Sequence, residues 1–180
     1  MTIGLAALTI VASMATIYLF AEDMRSRRRF GWKQVEKLVK DLLEEMRTRG
    51  YRPDLVLGIG RGGAILGGML AGNLGHIPLA VVDTELDHSE GVSNATIRFP
   101  DCCPSLTGKS VLVVVGELFS GEDLRKGMEF VRSRHPAQIR TATLLTHPAA
   151  SVHPDFVGLK TERPLSAPWR ITDAYRTHRL

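Results

Sequence analysis

Cysteine is scarce in this chain: its 180 residues hold only Cys102 and Cys103, side by side. No disulfide framework can be built from them, which suits a reducing compartment. A basic face is missing as well. The net charge is +4, and Arg25, Arg27, Arg28 and Arg29 alone supply that excess. The basic character is therefore local, and nucleic acid is not an expected partner. Metal-ligand spacing is also lacking. His76, His88, His135, His147, His153 and His178 form no ligand pair on one helix, so no metal site is expected. Asp101, Cys102 and Cys103 make no triad with any identifiable neighbour, so no nucleophile–base pair is seen. There are no internal repeats and no low-complexity linkers. What is present is ordinary for a globular protein, 44% apolar and 23% charged, and long enough for one α/β domain with an appendage.

Charge is absent from Thr2 to Ala21, a run rich in Ile, Leu, Val, Met, Tyr and Phe. About twenty helical residues span roughly 30 Å, the thickness of a bilayer's hydrocarbon core. Tyr18 and Phe20 stand near its end, where aromatic rings favour the interface, and the arginine cluster follows. Residues 1–21 are read as a single transmembrane helix and 22–31 as a basic juxtamembrane linker. With no Lys or Arg before the run, the N-terminus lies outside and the domain is cytoplasmic, on the inner or plasma membrane. The lipid bilayer is thus one partner, through residues 2–21. A cleaved signal peptide is the rival, but the start is neutral, the apolar core is long and Phe20 spoils the cleavage site. A buried soluble helix is the third reading.

From residue 32 the pattern alternates between helix and strand. Trp32 to Arg49 has helical period, with Val35, Leu38, Val39, Leu42, Leu43 and Met46 on one face and Gly50 as its stop. Leu55 to Ile59 is a strand. Ala64 to Leu74 is a helix whose Gly67, Gly68, Ala71 and Gly72 let it approach a sheet. Strands follow at Leu79 to Val82, Ala95 to Phe99, Val111 to Val115, Ile139 to Leu145 and Phe156 to Leu159, with a helix at Glu122 to Ser133 whose Leu124, Met128 and Val131 face inward. Thr84 to Asn94 is polar and reads as a mobile loop. The fold class is α/β, a mainly parallel sheet flanked by helices and preceded by one transmembrane helix.

Gly58-Ile59-Gly60-Arg61-Gly62-Gly63 follows a strand and opens a helix. Backbone N–H groups there can close on an anion. Gly58, Gly60 and Gly63 also match dinucleotide-binding spacing, with Asp83 at the place of a ribose-binding acid. A Rossmann-type dinucleotide-binding protein is therefore an alternative. Against it stand the long helix before the first strand and Arg61 inside the loop. The plainest alternative is a glycine turn that only permits tight helix–sheet packing, with Arg61 a surface residue.

Taken in order, the segments resemble a type I phosphoribosyltransferase of the purine, xanthine- or hypoxanthine-like branch. Pro53 to Gly63 resembles that family's first strand and diphosphate loop, Thr84 to Phe99 its flexible lid, and Leu106-Thr107-Gly108-Lys109 to Val114 the approach to its sugar-donor motif. Pro154-Asp155-Phe156-Val157-Gly158 with Ala167-Pro168-Trp169 resembles the hood over the purine. The resemblance implies a phosphoribosyltransferase-like domain over 32–180, with the hood at about 154–180. It implies phosphate binding by Gly60, Arg61, Gly62, Gly63, Ser120 and Gly121, Mg²⁺ as cofactor if the protein is catalytically active and none otherwise, and a homodimer.

The donor motif departs from the family's. Its two ribose-binding acids fall on Val115 and Gly116, its further Asp on Phe119 and its last Thr on Asp123, while Ser120 and Gly121 keep their types. Glu117 is the substitute acid and the one catalytic candidate, though one place along a strand points the other way from Gly116. Glu122 and Asp123 suit a helix dipole but repel a phosphate unless a cation intervenes. Pro164 and Leu165 stand where the hood would carry a stacking aromatic. The expectation is a membrane-anchored phosphoribosyltransferase-like protein, degenerate in catalysis, that binds a small phosphorylated or nucleotide-like molecule as a sensor, effector or assembly component. An active transferase with a divergent donor site is the alternative.

Overall fold

A computed structural model describes residues 30–87, 94–98, 104–162, 165 and 167–169. The apolar run at 2–21 and the arginine cluster lie outside them. Among the described residues no helix is long and apolar enough to cross a membrane. Residues 32–162 form one compact unit.

The unit opens with α1 (Trp32–Thr48). Val35, Val39, Leu42 and Met46 are its buried stripe, while Leu38 and Leu43 from the same expected face are only partly covered. The helix ends where Gly50 takes φ 63°, with Gly50 N–H donating to the Arg47 carbonyl and Tyr51 N–H to that of Met46. Two carbonyls left over at the helix end are satisfied in this way, and glycine carries the left-handed residue without strain.

There follow β1 (Leu55–Ile59), α2 (Gly60–Asn73), β2 (Leu79–Asp87), β3 (Asn94–Arg98), β4 (Ser110–Leu118), α3 (Glu122–Ser133), β5 (Gln138–Thr146) and β6 (Phe156–Lys160). The sheet order is β3-β2-β1-β4-β5-β6. Every neighbouring pair is parallel except β2–β3. The five parallel strands with helices on both faces are the expected class. Val56 lies under α2, while Ile59 and Val113 lie under α3. Alternate residues of β1 and β4 thus feed two apolar layers, as a sheet covered on both faces requires. The α3 layer gathers Leu55, Leu57, Ile59, Val111, Val113, Val115, Leu124 and Val131.

Several boundaries differ from the sequence reading. The β2 strand runs past Val82 to Asp87, and its backbone pairs with β3 from Asp83↔Arg98 to Asp87↔Asn94. Residues 84–87, expected in the polar loop, are therefore strand. A hairpin at a sheet edge satisfies their backbone groups, and an edge tolerates polar composition. Residues 88–93 lie outside the description. Asp83 accordingly falls inside β2 rather than at its end. The sheet order alone would suit a dinucleotide-binding domain. The antiparallel β3 and the preceding α1 do not. On α2 the small-residue stripe is shorter than expected: a Cβ at Gly67 would crowd Leu79 and Val56, whereas one at Gly72 would meet nothing within 4 Å. Met128 of α3 is part-covered, and Gly127 is the buried residue between Leu124 and Val131.

Candidate functional site

In an open α/β sheet the ligand crevice lies beyond the C-terminal ends of the strands, where connections leave to opposite faces. Here that place is the β1/β4 pair, from which α2 and α3 depart to opposite faces. Both predicted phosphate turns end up there.

The first turn is almost pure backbone. Ile59 ends β1 in an extended conformation, Gly60 takes φ 62°, and α2 starts at once. The left-handed residue reverses the chain in one step, which a side chain would strain. Gly60, Arg61, Gly62 and Gly63 are therefore the first turn of α2, four residues earlier than the periodicity suggested. No side chain caps this end, and its first turn holds no acid. The first four N–H groups of a helix lack intrahelical acceptors and carry the positive end of its dipole. Arg61 is exposed, and among the described residues it has no ion-pair partner. An uncapped helix start beside an exposed arginine has the chemistry to receive an anion.

The glycines around this turn answer to packing as well. A Cβ at Gly58 would lie 2.5 Å from the Gly63 carbonyl oxygen, and one at Gly63 would lie 2.4 Å from that of Val114. A Cβ at Gly116 would lie 2.7 Å from the Gly62 Cα. The turn is thus seated backbone on backbone against the end of β4. Gly116 was not singled out for packing by its sequence context, because the contact joins positions 54 residues apart.

The second turn is built differently. Ser120 and Gly121 separate β4 from α3, with Gly121 at φ 95°. The Ser120 hydroxyl accepts from Glu122 N–H at 3.3 Å. The Ser120 carbonyl accepts twice from Ser151, from N–H at 3.0 Å and from Oγ–H at 2.7 Å. A Cβ at Gly121 would sit 3.0 Å from Ser151 Oγ. The β5–β6 connection therefore locks this turn, a contact that no local signal around Ser151 announces. Glu122 does not stand as a bare charge. Arg125 Nε donates to its Oε2 at 2.9 Å and Lys126 Nζ lies 3.6 Å from its Oε1. Arg125 holds the Glu122 carboxyl below the usual carboxylate range, with Lys126 adding to the effect. Asp123 moves the other way: burial, then the Glu122 charge, pushes it up. Glu122 is thus compensated by neighbouring cations, so it repels an anion less than the sequence alone implies.

Glu117 lies within β4 opposite Leu145, and its Oε2 is shielded from solvent. Val115 is buried in the α3 layer. Phe119, just before the second turn, keeps 48% of its surface exposed. Among the described residues no three His, Cys, Asp or Glu side chains could hold a metal ion together. Pro164 lies outside the described residues.

Comparison with known proteins follows this geometry. A model of the phosphoribosyl transferase domain matches residues 31–176. The purine phosphoribosyltransferase of Pyrococcus horikoshii is 30% identical, with 80% of this chain and 94% of that one covered at a TM-score of 0.73. A hypothetical protein of Neisseria gonorrhoeae, crystallised with bound ppGpp, is 24% identical, with 81% and 89% covered at 0.68. The Helicobacter pylori xanthine-guanine-hypoxanthine phosphoribosyltransferase is 16% identical, with 79% and 93% covered at 0.69. No curated protein matches the chain.

Proposed function

The chain belongs to the phosphoribosyl transferase domain family, and from that premise we propose that it is a membrane-tethered member that binds a phosphorylated, nucleotide-like ligand without transferring a ribosyl group. The observation that carries the reading is the contact of Gly116 with Gly62, where a single added carbon would lie 2.7 Å from backbone. Position 116 is one of the two at which the resemblance places a ribose-binding acid, and it has no room for a side chain. Val115, at the other, is buried among Leu124 and Val131. Carboxylates that would grip the ribose hydroxyls are therefore lacking at both places. The anion half of the site keeps its elements: the bare start of α2, Arg61, and the turn at Ser120 and Gly121.

Members of this family generally use Mg²⁺ when active. The described residues supply no cluster to hold such an ion, and Arg125 and Lys126 already engage Glu122. No step of the proposed function runs through a metal. In this reading residues 2–21 anchor the chain in a bilayer and the domain reports on a soluble metabolite, as a sensor, effector or assembly component.

Calorimetric titration of the full chain in nanodiscs tests this, with phosphoribosyl diphosphate and Mg²⁺ and, because one neighbour of this fold carries it, with ppGpp. Binding of a phosphorylated ligand without consumption of hypoxanthine or guanine is expected. Steady turnover of a purine base would overturn the reading.

A further inference from the structure

We propose that Phe119 is the surface on which this site receives the flat base of its ligand, so that a purine nucleotide is recognised by stacking where the family would place an acid. The inference rests on the anion-binding reading above and adds to it what the ligand carries beyond phosphate. Phe119 follows directly on β4, at the ligand-binding edge of the sheet, and directly precedes Ser120 and Gly121. Phe119 is 48% exposed as a residue, while neighbouring Leu118 is buried. Trp32, Leu79, Val81 and Leu159 are the other large exposed apolar side chains among the described residues, and none of them adjoins a phosphate turn. The backbone that follows Phe119 is held firmly. The Ser120 carbonyl takes two hydrogen bonds from Ser151, and the Gly121 carbonyl accepts from Arg125 N–H at 2.9 Å.

The chemistry of the substitution points the same way. A phenyl ring neither accepts a proton nor hydrogen-bonds a hydroxyl, so position 119 cannot perform acid–base work. An aromatic face can stack on a base, and such a contact contributes about 1–3 kcal/mol per base, or roughly five- to 150-fold in affinity. Where Val115 and Gly116 offer no carboxylate to a ribose, affinity for a nucleotide over a plain sugar phosphate must come from the base.

The test compares guanosine 5′-monophosphate with ribose 5-phosphate on the full chain, a pair matched in phosphate number. Wild type should bind the nucleotide at least about tenfold more tightly. Phe119→Ala should remove most of that preference while leaving ribose 5-phosphate affinity unchanged, and Phe119→Trp should retain it. Nucleotide preference that survives Phe119→Ala, or equal loss for both ligands, overturns the inference while the anion-binding reading stands. A wild type that binds neither ligand overturns both.

Discussion

At position 116 the fold accommodates a hydrogen atom and nothing larger, because the opposing atom is the backbone of Gly62 rather than the end of a yielding side chain. Gly116→Ala should therefore lower stability by about 1–3 kcal/mol, as overpacking of a rigid contact does, measurable by urea denaturation. Gly116→Asp should do worse and should not create transferase activity, since the added carboxylate would displace the phosphate turn. Arg61 presents the opposite case. It is exposed with no ion-pair partner among the described residues, so Arg61→Ala should leave the melting temperature within about a degree. It should weaken binding of a phosphorylated ligand by about 1.5–3 kcal/mol, the loss of one charge-assisted hydrogen bond. A drop in affinity accompanied by a drop in stability would assign Arg61 to the scaffold instead. The glycine turn from β1 into α2 was legible because a glycine-rich helix start is a local signal. The need for glycine at 116 was not, because its reason lies across the sheet.

At the scale of elements, the junction of β5 and β6 is tied at their N-terminal ends. The Asp155 carboxylate accepts from Arg140 at 2.6 Å, from Thr141 N–H at 2.8 Å and from Thr141 Oγ–H at 2.8 Å. Burial works to raise its pKa, but the hydrogen bonds from Arg140 and Thr141 together outweigh burial and hold the carboxyl below the ordinary value. A carboxyl depressed in the folded state contributes stability that is present above the unfolded pKa, near 4, and is lost as pH falls through the folded one. Acid unfolding should accordingly lose one protonation-linked contribution below about pH 4 in Asp155→Ala. At neutral pH that variant should be less stable by about 1–3 kcal/mol, because Thr141 N–H loses its acceptor. The α3 helix approaches β1 through Gly127, where a Cβ would lie 2.1 Å from Ile59 Cδ1. Gly127→Ala should destabilise by about 1–3 kcal/mol despite the better helix propensity of alanine. Ile59→Val, which removes the obstructing methyl, should recover much of that loss in the double variant. Additive losses would show that the helix yields rather than the side chain.

The periodicity of α1 and the apolar runs of β1, β4 and β5 made these elements readable in advance. The extension of β2 through residues 84–87 and its antiparallel pairing with β3 were not, since pairing at an edge is decided by the partner strand rather than by composition.

For the whole molecule, the tether is the property to test. Deleting residues 1–21 should shift the protein from the membrane pellet to the soluble fraction and leave nucleotide affinity within about twofold. Retention in the pellet after deletion would place the attachment elsewhere. By itself the sequence determined the class of fold, the order of its elements and the glycine turn that opens α2, because hydrophobic period and glycine punctuation act over a few residues. Only the tertiary structure decided that β3 runs antiparallel, that Ser151 locks the second turn and that Gly62 closes position 116 to any side chain. Those are contacts between distant segments, and it takes the assembled sheet to bring them together.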